Sequence, residues 1–208
     1  MNKSEKNIYY LYITFSFLFI AVTTNYLSLN DIIFIANQTD SLSYTAIAKN
    51  APLLSGEDSF ILNNKATLIQ QHVAQRFVIP YIIGSIAHFL NINFFLVFKL
   101  FTLMFIFFYV FLINVLIKKL NFNLKISILF FSILFLNPYV IRYHIFQPVQ
   151  AHDMLFFCFG LFFFLTIISK NYFSNLLISI IAIYLRQTSI ALLVGSSIFL
   201  LINKKINL

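Results

Sequence analysis

The chain has 208 residues, 61% hydrophobic and only 10% charged, with a net charge of +8. A soluble domain carries about 25% charged residues, so this composition excludes an ordinary water-soluble fold and points to a helical membrane protein with several spans. The basic excess then reads as loops flanking a membrane rather than a nucleic-acid surface, and the single Cys158, inside an apolar run, excludes an internal disulfide.

Lys3 and Lys6 precede the first apolar stretch, Ile8 to Leu29. It is too long for a signal-peptide core and ends in no small-residue cleavage pattern, so it is read as an uncleaved first span. A polar interruption of 46 residues follows, Asn30 to Gln75, carrying Asp31, Asp40, Glu57, Asp58 and His72, with Arg76 just beyond. A chain so poor in charge has little reason to gather carboxylates on one loop unless that loop has work to do. Within it, Ser41–Asn50 is expected to form a short helix capped by Asp40 or Ser41, and Lys65–Gln75 a second. Phe77–Leu90 comes next. Its 14 residues make a helix of roughly 21 Å, against a hydrocarbon core of about 30 Å, and Pro80 and Gly84 are expected to interrupt it further. The remaining candidate spans are Phe94–Ile117, Ile126–Ile141, Met154–Ser169, Tyr172–Leu185 and Thr188–Ile202. Neither zinc-ligand spacing nor a glycine-rich phosphate loop occurs.

Charge decides whether Phe77–Leu90 crosses. If it does not, Lys3, Lys6, Lys118, Lys119, Lys125, Lys170, Lys204 and Lys205 share one side with Glu5 alone. The other side then holds Lys49, Lys65, Arg76, Lys99, Arg142 and Arg186 against Asp31, Asp40, Glu57, Asp58 and Asp153. If it does cross, every later loop inverts, and Lys118, Lys119 and Lys125 move outside. The positive-inside rule prefers the first arrangement. The expected architecture is therefore one all-α polytopic membrane domain over residues 1–208, with six transmembrane helices and both termini cytoplasmic. Juxtamembrane helices occupy a large first outer loop, residues 30–93, and the second outer loop covers residues 138–153.

In this topology His72, His88, His144 and His152 and five of the six carboxylates lie on or near the outer face. Charges at membrane depth are costly and mark function by default, which singles out Lys99, Asp153 and Arg186. Plainer roles stand beside these. Lys99 could snorkel to the interface, Arg186 could be a loop residue, and His88 could be interfacial. Asp31 reads as a boundary residue, and Glu57 and Asp58 as a solvated turn. His72 and Arg76, four apart, share a face if their segment is helical.

Asn37-Gln-Thr-Asp40-Ser-Leu-Ser-Tyr44-Thr-Ala-Ile-Ala48 resembles the segment after the first span in the GT-C superfamily of glycosyltransferases, which use polyprenyl-phosphate sugars. His72-Val-Ala-Gln-Arg76-Phe-Val-Ile-Pro80-Tyr81 is similar to that superfamily's outer helix, which lies along the membrane. Phe94-Phe-Leu-Val-Phe-Lys99 resembles the start of the second span, Ala151-His152-Asp153 the second acidic motif, and Leu185-Arg186-Gln-Thr-Ser189 a later basic motif. The motifs are short, and their order and placement carry the likeness. Members are usually longer, so the resemblance also allows a truncated, split or reduced form, with a second polypeptide supplying further spans.

The resemblance implies a membrane transferase in the bacterial cytoplasmic (inner) membrane. It would move a sugar from a polyprenyl-phosphate donor to a glycan, lipid or protein acceptor at the outer face. Asp40 and Asp153 are then the catalytic candidates, with Asp40 as the base and Asp153 orienting the acceptor or sharing a divalent metal with Asp40. Arg76, Lys99, Arg142 and Arg186 are candidates for the donor phosphate, and Tyr44, His72 and His152 for substrate contact. Nothing in the spacing requires a metal or another cofactor. The alternatives are a transporter or flippase subunit for lipid-linked sugars, a sugar-repeat polymerase and a non-catalytic fragment of a glycosyltransferase. A flippase would want polar residues deep in several spans, whereas here they pool outside. Sugar, acceptor, metal dependence and oligomeric state stay open at this point.

Overall fold

The chain opens on a reciprocal cap. The Asn2 side chain accepts from the Glu5 amide and the Asn2 amide donates to the Glu5 carboxylate, both at 2.8 Å. From that cap runs α1, Lys3–Thr23. The computed structural model describes residues 1–23, 40–52, 76–137, 140–141, 143–185, 189–192, 194–195 and 197–198, with the side chains of 40–42, 172 and 184–185 outside the description. The further elements are α2 (Asp40–Asn50), α3 (Val78–Leu90), α4 (Phe94–Lys119), α5 (Leu124–Phe135), a short α6 (Tyr143–Phe146), a 3-10 turn (Pro148–Gln150) running into α7 (Ala151–Ile168), and α8 (Tyr172–Leu185). Every regular element among the described residues is helical.

Asparagines write the turns. Asn91 ends α3 in the left-handed region (φ 52°) and Asn93 caps α4 by accepting from the Phe95 amide at 2.9 Å. The pattern repeats one helix later: Asn121 takes φ 53° and Asn123 caps α5 by accepting from the Ile126 amide at 3.0 Å. Asn171 caps α8 through the Ser174 amide at 3.1 Å. Asn is among the few residues that visit positive φ at low cost and also cap well, so two of them bracket a three-residue turn.

Three stretches are long and apolar enough to cross a membrane: Lys3–Thr23, Phe94–Lys119 and Pro148–Ile168. On α4, Leu100, Met104, Phe107 and Phe111 form an exposed stripe at helical spacing. The opposite face of α4 buries Phe98, Thr102, Phe105, Tyr109, Ile113 and Leu116. An apolar stripe of that length suits lipid and not water. α5 is shorter than its expected span of Ile126–Ile141. It stops at Phe135 after 12 residues, about 18 Å, because Asn137 precedes Pro138 and a residue before proline is pushed out of helical geometry. α8 has 14 residues, and the expected sixth span, Thr188–Ile202, lies partly outside the described residues.

Side-chain pairs fix the helix directions. Cys158 donates to the Phe105 carbonyl at 3.3 Å, and Lys119 reaches the Ser169 hydroxyl, so α4 and α7 run parallel. Tyr12 bonds Ser132 at 2.7 Å and Phe17 packs on Phe135 with ring centroids 4.7 Å apart, so α1 runs parallel to α5. Phe17 also stacks on Phe107 at 5.4 Å, while Lys6 and Lys118 line one cavity, so α1 is antiparallel to α4. Asn175 donates to Thr166 at 3.1 Å, closing the α7–α8 hairpin. Lys3, Lys6, Lys118, Lys119, Lys125 and Lys170 consequently collect at one end of the bundle. α1 finishes at the other end, where α4 also begins.

α3 lies between α1 and α4 in the chain and corrects one expectation. Neither Pro80 nor Gly84 interrupts it. Pro80 sits in the first turn, where its missing N–H costs nothing. Gly84 is the crossing point with α2: a Cβ added there would lie 2.6 Å from the Ala48 carbonyl carbon. Ile47, Ala48 and Ile83 are all buried around the crossing, a small-residue contact of the kind that lets two helices approach backbone to backbone.

Candidate functional site

α2, α3, the start of α4 and the 3-10 turn before α7 pack together at the end opposite the lysines. Thr102 ties two of them by donating to the Pro148 carbonyl at 3.1 Å. The Tyr81 hydroxyl ties α3 to the residues after α2 by donating to the Pro52 carbonyl at 3.0 Å.

Tyr44, one turn into α2, is the hub, with 1% exposure. Its hydroxyl accepts from Arg76 Nη1 at 3.4 Å, and its ring lies on the His152 imidazole, centroids 4.4 Å apart. His152 is equally buried, and its Nε2 stands 3.6 Å from Asp153 Oδ1. That separation is too long for a hydrogen bond. Asp153 is 9% exposed. α7 begins at Ala151, three residues before the expected span start at Met154, so Asp153 falls inside the first turn. There the helix dipole favours its negative charge, which is reason enough for a carboxylate to survive burial at this position.

Lys99 is 6% exposed, so it does not reach out to the interface as a snorkelling side chain would. It lies one turn before Thr102 on the same face of α4, the face that meets the 3-10 turn. Asp40 opens α2 four residues before Tyr44, about 6 Å back along the axis and on the same face. Its side chain is outside the description, but the helix it begins and the helix carrying Asp153 meet at one end of the bundle. His72, Arg142 and Arg186 lie outside the described residues. His88 is exposed on the last turn of α3.

The structure therefore brings together Tyr44, Arg76, His152 and Asp153, with Lys99 and the start of α2 alongside. Several polar neighbours join them that a motif reading passes over. Tyr143 donates to Gln150 at 2.8 Å. His144 is buried, and its Nδ1 contacts the Val140 carbonyl. Thr102 could have been found by its spacing from Lys99, whereas Gln150 and Tyr143 carry no spacing signal in a loop. Among the described residues no three His, Cys, Asp or Glu side chains converge as a metal site would require; His152 and Asp153 supply two donors. Comparison with protein-family models, with curated proteins and with solved structures gives no match.

Proposed function

We propose that this end of the bundle is the active site of a membrane glycosyltransferase of the GT-C kind, using a polyprenyl-phosphate sugar as donor. The observation that carries the reading is the cluster of Tyr44, Arg76, Lys99, His152 and Asp153, largely buried, at one end of an otherwise apolar bundle. Buried charge in such a chain is costly and is retained where it handles a substrate. In the six-span arrangement this end faces away from the cytoplasm, because the lysines hold the other end in.

The reaction follows from the residue types. Asp40 takes the proton from the acceptor hydroxyl. The acceptor oxygen forms a bond to the sugar C1 as the bond from C1 to the phosphate oxygen breaks, with inversion at C1. Polyprenyl phosphate leaves with the electron pair, and the transition state is oxocarbenium-like, as in glycoside hydrolysis. Arg76 and Lys99 receive the phosphate charge, with Arg142 and Arg186 as further candidates. Asp153 and His152 orient the acceptor.

Midway along α1 and near the end of α7 the buried hydroxyls of Ser16 and Thr166 donate to carbonyls of their own helices, which favours chemistry at one end over passage through the middle. The test uses purified protein in liposomes with a fluorescent polyprenyl-phosphate hexose and an envelope extract as acceptor. Wild type is expected to release lipid phosphate. Asp40→Asn is expected to insert normally, bind the donor and lose about 10²–10⁴ in rate. Full activity in Asp40→Asn removes Asp40 from the mechanism. Donor crossing the bilayer without release of lipid phosphate would establish the flippase instead.

A further inference from the structure

The lysine end holds a feature that the proposed transferase does not use. A cavity of about 650 Å³ opens between the start of α1, the last turn of α4 and the turn that follows. Lys6 and Lys118 line it, both exposed. Among the described residues neither is in an ion pair. Tyr9 also lines it. Tyr9 is 3% exposed, and its hydroxyl has no hydrogen-bond partner among the described residues. A buried phenol without a partner is rare and calls for an acceptor. Glu5, the carboxylate nearest in sequence, is already engaged by the Asn2 amide at 2.8 Å. Phe111 and Val115 form an apolar wall, and Phe111 continues the exposed stripe of α4 through Leu100, Met104 and Phe107.

We propose that this cavity binds the phosphate headgroup of an anionic glycerophospholipid. Two cations and one hydroxyl donor meet the phosphate oxygens, and the α4 stripe receives an acyl chain. The phosphate alone would satisfy the lysines but leave that stripe uncovered, which is why the lipid form is preferred. Basic pockets between spans on the cytoplasmic side are suited to anionic headgroups, whose leaflet concentrates them there. This site stands whether or not the opposite end transfers a sugar.

The test is lipid retention by the full chain, measured by native mass spectrometry and by thermal unfolding in neutral detergent. Dioleoylphosphatidylglycerol is titrated against dioleoylphosphatidylcholine. Wild type is expected to retain the anionic lipid and gain thermal stability from it, and to do neither with the neutral one. Lys6→Gln with Lys118→Gln should weaken retention at least tenfold and Tyr9→Phe several-fold, while each keeps the wild-type unfolding temperature in neutral lipid. Lys125→Gln and Lys170→Gln, on the same end but off the cavity, should change nothing. Equal loss in those two would mean diffuse attraction and overturn the site. Retention unchanged in the Lys6 and Lys118 double variant would overturn it as well. Displacement of the lipid by millimolar inorganic phosphate would make it a free-phosphate site, and stronger retention of polyprenyl phosphate would reject a glycerophospholipid as its occupant.

Discussion

At the lysine end the charged groups Lys6, Lys118, Lys125 and Lys170 are exposed, whereas at the opposite end Lys99, His152 and Asp153 are buried. The first group costs little and sets orientation by its number. The second costs desolvation, offset by close partners: Tyr44 lies on the His152 ring and accepts from Arg76, and His152 stands 3.6 Å from Asp153. On the proposed reading, exposed charge sets which way the chain lies and buried charge marks where it acts. The two ends also differ in how they are built. Each end has one three-residue asparagine turn, Asn91–Asn93 at the acid end and Asn121–Asn123 at the lysine end, but only the acid end adds two helices in near backbone contact at Gly84 and Ala48.

That contact gives the largest way to separate the ends. Gly84→Val places side-chain atoms where the Ala48 backbone stands, which should cost about 3 kcal/mol or more. Thermal unfolding in detergent should drop sharply and donor binding should vanish, with anionic-lipid retention at the lysine end preserved in the folded fraction. A variant with unchanged stability would show that α2 and α3 do not cross as described. Thr102→Val is the next probe. It keeps the shape but leaves the Pro148 carbonyl without its buried donor, at roughly 1–3 kcal/mol. Because that bond docks the 3-10 turn on α4, donor affinity should fall with stability, and a loss of neither would sever Lys99 from the site. Smallest is Asn123→Ala, which removes the cap of α5 and should cost about 1 kcal/mol in unfolding with no change in donor binding. A marked loss of donor binding there would mean the ends are coupled.

Much of this division could be read from residue order. The charge count places eight lysines at one end, and the helix pairings collect six of them there, Lys204 and Lys205 lying outside the described residues. The short Phe77–Leu90 stretch reads as a juxtamembrane or re-entrant helix too short to cross, and the helix itself is there, Val78–Leu90. Gly84 was misread because a glycine is equally a helix breaker and a contact surface; only the partner, Ala48, decides, and it lies 36 residues away in sequence. The length of α5 was overestimated because apolar character continues through Val140 and Ile141, both buried, past the point where Pro138 ends the helix. The frequent asparagines look like compositional bias, yet Asn91, Asn93, Asn121 and Asn123 hold specific turn positions. Tyr44 and His152 meet across more than 100 residues, a separation at which no local pattern reports a contact.

The central claim is that the two ends of the bundle face opposite sides of the membrane. Ile92 and Asn121 are exposed in the turns at either end of α4, and the native Cys158 is buried. Single variants Ile92→Cys and Asn121→Cys in intact cells, treated with an impermeant maleimide, measure it directly. The account predicts labelling of Ile92→Cys from outside and of Asn121→Cys only after lysis; strong labelling of Asn121→Cys in intact cells would contradict it.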